Sequence, residues 1–383
     1  MSLTRIGFDA TAAVTQGGGI GRYTRELLDA LLKIDGRYQY RIFAARSPEP
    51  FSFSHGIPSG RHISYRQIPL SPRWLYRMWY RLRLPIPVQL FTGKVDLFHS
   101  PDFVLPPVLS QVPTLLTVHD LSFAYFPETF TPSLVNYLNR VVPWSVKRAS
   151  HVLADSKSTK HDLISLYQTP KEKITVLYSG VDELFRPITD ENELSRVREK
   201  YALGAEPYVF TVSTLQPRKN HQMLIKAFRD VAASVQYNLI IAGGKGWLYE
   251  QMLEEVRRQN LADRVRFIGF VDEQDLPALY SASAMFVFPS LYEGFGLPIL
   301  EAMACGVPVL ASDASSLPEV AGNAAMLLSP HNQAHWTAAM LKLVEDVELR
   351  TRLIDAGLVQ ARHFRWQDSA RQLLSIYEQL LAR

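Results

Sequence analysis

One cysteine, Cys305, is all that this 383-residue chain contains, so no internal disulfide staples it and nothing points to an oxidising compartment. No apolar run approaches the roughly 20 residues that cross a bilayer. The opening MSLTRIGFDA has no long apolar core behind a charged start, so the chain is expected to be cytoplasmic, neither exported through a leader nor integral to a membrane. Charge of one sign is also scarce: 41 basic against 37 acidic residues leave a net +4. Without a basic run or a recognised binding motif, that balance excludes nucleic acid as an expected partner. No Asp/His cluster has metal-ligand spacing, so neither a metal nor a bound cofactor is expected.

What is present is a globular composition, 47% hydrophobic and 20% charged, at a length that accommodates two domains with separate cores. Strand-like runs at 6–9, 38–44, 63–68, 96–99, 114–119, 151–155 and 173–178 are several times separated by helical spacing. After the polar stretch 189–200 a second series follows at 208–213, 238–242, 265–270, 284–288 and 307–311. Such alternation predicts two doubly wound α/β domains, 1–187 and 188–364, with a helix over 365–383. The cleft between the domains is then the natural ligand site.

The organising stretch is 288–313, FPSLYEGFGLPILEAMACGVPVLASD. It reads as strand, glycine loop, helix and strand, with Pro298 near the helix start, Glu301 in its first turn and Gly306 as its stop. Glu293 and Glu301 are eight positions apart, across a turn that needs Gly294 and Gly296. A carboxylate can accept two hydrogen bonds from a vicinal diol, so two of them around exposed backbone N–H groups suggest a sugar nucleotide. The plain alternative, a helix-terminal Glu and a solvated loop Glu, leaves the Gly-Phe-Gly-Leu-Pro loop between them unexplained.

The Glu-x7-Glu pattern within YEGFGLPILEAMACGVPV resembles the signature of the retaining GT-B glycosyltransferases of family four, which include many bacterial mannosyltransferases, and the likeness runs over nearly the whole chain. It implies two Rossmann-like domains facing across a cleft, a nucleotide-sugar donor and a glycan acceptor. By the same resemblance Glu293 contacts donor-sugar hydroxyls, Glu301 binds the ribose, and the amides of Phe295, Gly296 and Leu297 lie against sugar and diphosphate. TLQPRKN resembles the diphosphate site, giving Arg218 and Lys219; the turn at Phe270 and Val271 resembles the nucleobase contact; TVHDLSF gives His119 as a contact of the donor hexose.

GGIGRYTREL, with Gly19 and Gly21, reads by itself as a tight turn into a helix and fails as a dinucleotide fingerprint, because the third glycine place holds Arg22. By resemblance it is the loop facing donor phosphate and acceptor. His99 and Asp120 are assigned to the acceptor side. The expected reaction is transfer of a hexose, mannose from GDP-mannose, with retention, to a hydroxyl of a growing, lipid-linked glycan in cell-surface polysaccharide assembly. A UDP-sugar or other nucleotide-sugar donor, or an epimerase on the same architecture, are the alternatives.

Residues 71–85, SPRWLYRMWYRLRLP, carry a different signal. On a helix of period 3.6, Trp74, Leu75, Met78, Trp79 and Leu82 share one face while Arg73, Arg77 and Arg81 form a row opposite. Two readings stay open: an apolar face packed on the sheet, or peripheral contact of 73–83 with the inner face of the cytoplasmic membrane.

Overall fold

The computed structural model describes residues 3–47 and 63–382. Contacts divide the chain into two compact units. Unit 1 comprises 1–124, 133–180 and 365–383, and unit 2 comprises 125–132 and 181–364. The chain thus passes from the first unit at Gly180 rather than at 187, and an eight-residue excursion at 125–132 joins unit 2 early.

Unit 1 is built on a parallel sheet of seven strands: β1 (Arg5–Asp9), β2 (Gln39–Ala44), β3 (Ile63–Gln67), β4 (Leu97–Ser100), β5 (Thr114–Val118), β6 (His151–Ala154) and β7 (Ile174–Val176), in the order β3-β2-β1-β4-β5-β6-β7. Every residue of β4, β5 and β6 is buried, as expected of parallel strands covered on both faces. The strand order reverses between β1 and β4, where open α/β sheets open a crevice at their carboxyl edge.

Helix Trp366–Leu381 lies in unit 1 and packs on helix Gly19–Ile34. Tyr377 donates to or accepts from His99 Nδ1 at 2.8 Å, Ser369 Oγ donates to the Tyr178 carbonyl at 2.6 Å, and Gln372 Nε2 donates to that of Val176 at 2.9 Å.

Unit 2 repeats the winding with six strands: β8 (Tyr208–Val212), β9 (Asn238–Ala242), β10 (Val265–Gly269), β11 (Met285–Phe288), β12 (Val309–Ser312) and β13 (Ala325–Leu328). Their order is β10-β9-β8-β11-β12-β13, all parallel. The excursion 125–132 docks on this unit through rings: Tyr125 stacks on Tyr292 at 5.8 Å, Phe130 lies against Trp247, and Trp247 Nε1 donates to the Thr129 carbonyl at 2.6 Å.

The stretch 71–85 is not one regular helix. Pro72–Leu75 is α-helical, and Tyr76–Arg81 widens into a π-helix. A wider turn breaks the 3.6-residue register, so the expected face splits. Leu75 and Trp79 are buried, with Trp79 Nε1 donating to the Ile86 carbonyl at 2.8 Å, whereas Trp74 is 59% and Leu82 65% exposed.

Candidate active site

The carboxyl edge of the unit 2 sheet gathers the acidic and basic residues singled out above. After β8 the chain makes a 3-10 turn, Pro217–Lys219. Asn220 follows at φ +59°, and helix His221–Ser234 begins. The Asn220 amide donates to the carbonyls of Pro289 and Pro330, at 3.1 and 2.8 Å, and so fastens this turn to the end of β11.

Glu293 lies on the loop after β11, buried, between two cations. Lys219 Nζ is 2.5 Å from its Oε1, and Arg218 Nη1 is 3.1 Å from its Oε2 and also donates to the Tyr292 carbonyl. Burial pushes the Glu293 carboxyl upward, but the charges of Lys219 and Arg218 outweigh it and bring it down to about 2. The same burial, with Lys219 adding to it, holds neighbouring His221 at about 3, a neutral ring.

The loop is bolted from β12. Ser315 Oγ accepts from the Glu293 amide at 2.8 Å, and Ser316 Oγ donates to the carbonyls of Glu293 and Phe295 at 2.9 and 2.8 Å. Sequence reasoning missed both serines; the available signal was the run of small polar residues directly after a buried strand. Gly296 stands at φ +109°, where a Cβ would also come within 2.6 Å of the Leu317 side chain, so only glycine turns the chain here.

Helix Leu297–Ala304 then starts. Glu301 is its fifth residue, and the first turn holds no acid, which corrects the expectation of a first-turn carboxylate. The macrodipole has faded there; Glu301 is instead buried and fixed by the Tyr280 hydroxyl, which donates to Oε2 at 2.8 Å. At the end of β10, Gly269 at φ +72° leads to Phe270, 70% exposed, and to buried Val271.

In unit 1 the glycine run opens helix Gly19–Ile34, whose cap Gly18 supplies no side-chain hydrogen bond. Gly19 is exposed, and Gly21 sits where a Cβ would lie 1.8 Å from the Gln16 carbonyl oxygen. His119, just past β5, is buried with Nδ1 2.7 Å from Asp155 Oδ2 and Nε2 2.9 Å from the Pro101 carbonyl oxygen. His99 is enclosed completely, its ring nitrogens facing Tyr377 and Thr117 and its ring against Phe8, so it offers no atom to solvent. The Asp120 carboxylate accepts from the amide and hydroxyl of Ser122 at 2.9 and 2.7 Å.

Beside part-exposed Asp120, this edge holds two part-exposed carboxylates that the sequence did not single out. Asp9 ends β1 and Asp102 follows β4, on the two sides of the reversal in strand order. Gln16 Nε2 donates to Asp102 Oδ2 at 3.1 Å, and the Thr11 amide to Asp9 Oδ1 at 2.9 Å. Enclosure by the protein, with Asp102 adding like charge, pushes the Asp9 carboxyl up to about 6. Among the described residues, no group of three or more His, Cys, Asp or Glu side chains could hold a metal ion.

Comparison with known proteins gives this arrangement its context. The family described as "Glycosyl transferases group 1" matches residues 195–359, and "Glycosyltransferase Family 4" matches 17–183. The chain is 32% identical over 372 residues to O-antigen chain mannosyltransferase B of Escherichia coli, covering 94% of this chain and 96% of that protein. It is 31% identical to the O-antigen chain mannosyltransferase RfbU of Salmonella typhimurium, over 72% of this chain and 70% of the relative. The solved structure of sucrose-phosphate synthase from Thermosynechococcus elongatus superposes with a TM-score of 0.77 at 21% identity, covering 99% of both chains. The two wound sheets and the two matched families leave one assignment: the chain belongs to the group 1, family 4 glycosyltransferases of the GT-B fold.

Proposed function

We propose that this glycosyltransferase moves mannose from GDP-mannose, with retention, to a hydroxyl of a growing lipid-linked glycan in cell-surface polysaccharide assembly, at the inner face of the cytoplasmic membrane. The names of the two O-antigen mannosyltransferase relatives support the sugar and the product class. The observation that carries the chemistry is the Arg218–Glu293–Lys219 bridge on the same sheet edge as Glu301.

Breaking a glycosyl–phosphate bond puts negative charge on the departing diphosphate, so fixed cations aimed at it are the largest contribution available. Arg218 and Lys219 supply that charge, already oriented by Glu293, and the exposed helix start at Gly19, with Gly21, is the unit 1 segment assigned to donor phosphate. Glu301, held by Tyr280, takes the ribose diol, the amides of Phe295, Gly296 and Leu297 meet sugar and phosphate, and the Gly269–Val271 turn takes the base through its main chain. Glu293 also receives donor hydroxyls, and His119, whose ring nitrogens are both held by the protein, bears on the hexose through its charge. In unit 1 the acceptor falls to Asp9 and Asp102, with Asp120 nearby and His99 as internal support.

With both acids committed to ligand and cations, attack on the donor face left by the phosphate, which itself takes the acceptor proton, is the favoured course. Two side-chain cations at the diphosphate also make a divalent ion dispensable: a chelator is expected to leave turnover unchanged. Incubation with GDP-, UDP-, ADP- and dTDP-sugars tests the donor. Stabilisation against heat and hydrolysis with GDP-mannose alone is the expected result; a preference for another nucleotide sugar overturns the donor assignment.

Membrane contact is assigned to Trp74, Leu82 and Leu84, which are exposed beside Arg73, Arg77, Arg81 and Arg83. Arg77 lies over the Trp74 ring at 5.2 Å. Such a surface inserts rings at the headgroup level and gains about 1 kcal/mol per arginine near anionic lipid. Flotation with anionic liposomes at low salt is expected, and Gln at 73, 77 and 81 is expected to abolish it without slowing donor hydrolysis. A wild-type protein that stays at the bottom of the gradient removes this contact.

A further inference from the structure

The His119 ring is surrounded on both sides by acceptors. Nε2 faces a backbone carbonyl, that of Pro101, which can only accept, so this nitrogen carries a proton. Nδ1 faces Asp155 Oδ2 at 2.7 Å, the short distance of a charge-assisted contact. The other Asp155 oxygen is buried without a hydrogen-bond donor among the described residues, so His119 alone balances that carboxylate. The ring cannot easily turn away: Tyr23 and Phe103 meet it edge-on at 4.9 and 5.4 Å, and Thr159 Oγ1 donates to the His119 backbone carbonyl at 3.1 Å.

We propose that Asp155 is a positioning residue that holds His119 as a standing imidazolium, both N–H groups committed, so that this histidine acts as fixed charge and never as a proton acceptor. This rests on the reading of His119 as a hexose contact only for its consequence in turnover; the charge state stands on the contacts above.

The groups facing the ring all press the same way. Asp155 follows β6 and Asp102 follows β4, Asp120 adds negative charge at Asp155, and the Tyr23 hydroxyl, from the helix opposite, stays neutral because burial and Asp155 raise it. Besides burial, the leading influences on the ring are two acids and a carbonyl. Burial pulls the imidazole down, but Asp155, Asp102 and the Pro101 carbonyl lift it to about 9. The cation has a second effect, since it partly offsets the burial that raises the part-exposed Asp102 carboxyl. Loss of the imidazolium would push Asp102 towards its neutral form.

The test is nitrogen-edited imidazole spectroscopy of the whole protein, with the ring of His119 assigned through its own backbone, between pH 5.5 and 9.5. Imidazolium shifts on both nitrogens persisting past pH 8 are expected in the wild type. Asp155→Asn keeps a hydrogen-bond acceptor for Nδ1 but removes the charge, and its midpoint is expected to fall by about two pH units, to the ordinary histidine range or below. Donor hydrolysis in this variant is then expected to lose about tenfold between pH 6 and 8, a limb the wild type lacks.

A neutral ring in the wild type at pH 7, with Asp155 carrying the proton instead, overturns the proposal without recourse to any variant. So does an unmoved midpoint in a folded Asp155→Asn. A shifted midpoint with an unchanged rate profile supports the charge assignment and removes His119 from the hexose contacts.

Discussion

The carboxyl edges of the two sheets solve the same electrostatic problem in opposite ways. In unit 2 a buried acid, Glu293, is over-compensated by two cations and held at about 2. In unit 1 three acids, Asp9, Asp102 and Asp155, crowd one edge with His119 as their nearby cation, and all three are pushed upward. Preorganised positive charge suits a departing diphosphate, and ready-made acceptors suit incoming hydroxyls. The sign of the side chains that each sheet edge collects thus fits the donor and acceptor roles proposed above.

The largest effect that would break this contrast comes from removing the positive side. Lys219→Ala is expected to lower turnover at least about a hundredfold, on the scale of losing an oxyanion donor, with Lys219→Arg recovering part of it. Steady-state hydrolysis of the donor decides it, and near-normal turnover would end the diphosphate assignment.

Next in size is the ribose grip. Glu301→Gln should weaken binding of the free nucleotide by about tenfold, since a neutral amide is the poorer acceptor for a diol. Tyr280→Phe, which removes one hydrogen bond from the carboxylate, should give a smaller loss of the same kind. Calorimetry with GDP distinguishes these from Glu293→Gln, expected to act on the sugar step more than on nucleotide affinity.

The smallest effect sharpens the comparison most. Asp9 has a folded value of about 6 against roughly 4 when unfolded, so the native state binds the extra proton and stability falls as pH rises from about 4 through 6. Glu293, depressed in the folded state, contributes the reverse: its stability is present above its unfolded value and is lost as pH falls towards about 2. Asp9→Asn should therefore stabilise unit 1 by about 1–2 kcal/mol at pH 7.5, discounted for its partial exposure, and flatten the decline. Amide-exchange protection of β1 and β4 reads this directly, and equal protection at pH 4.5 and 7.5 in the wild type would rule it out.

What could be read from sequence followed from burial. Met285–Phe288 is a continuous apolar run and Thr114–Val118 a wholly buried one rich in β-branched residues, because parallel strands are covered on both faces. Ala325–Leu328 escaped because it is a four-residue edge strand, only partly buried throughout. The Glu-x7-Glu spacing, with its resemblance, located the unit 2 edge, but not the Tyr280 hydroxyl, which comes from another helix. Asp9, Asp102 and Asp155 carry no spacing signal at all; each merely ends or follows its own strand, and only the strand order assembles them. The wheel drawn for 71–85 was right about composition and wrong about a single period, since the helix widens at Tyr76–Arg81, and Trp74 before it and Leu82 after it are exposed.

The return of helix Trp366–Leu381 to unit 1 has a consequence for how the chain matures on the ribosome. His99 waits in its sheet for Tyr377, 278 residues later, and the surface of helix Gly19–Ile34 stays uncovered until the same late segment arrives. Domains generally fold in the order they are synthesised, yet here the unit begun first is finished last, after the whole of 181–364 has emerged. A nascent chain stalled before 365 would carry a second unit able to close its own core and a first unit still open along one helix face.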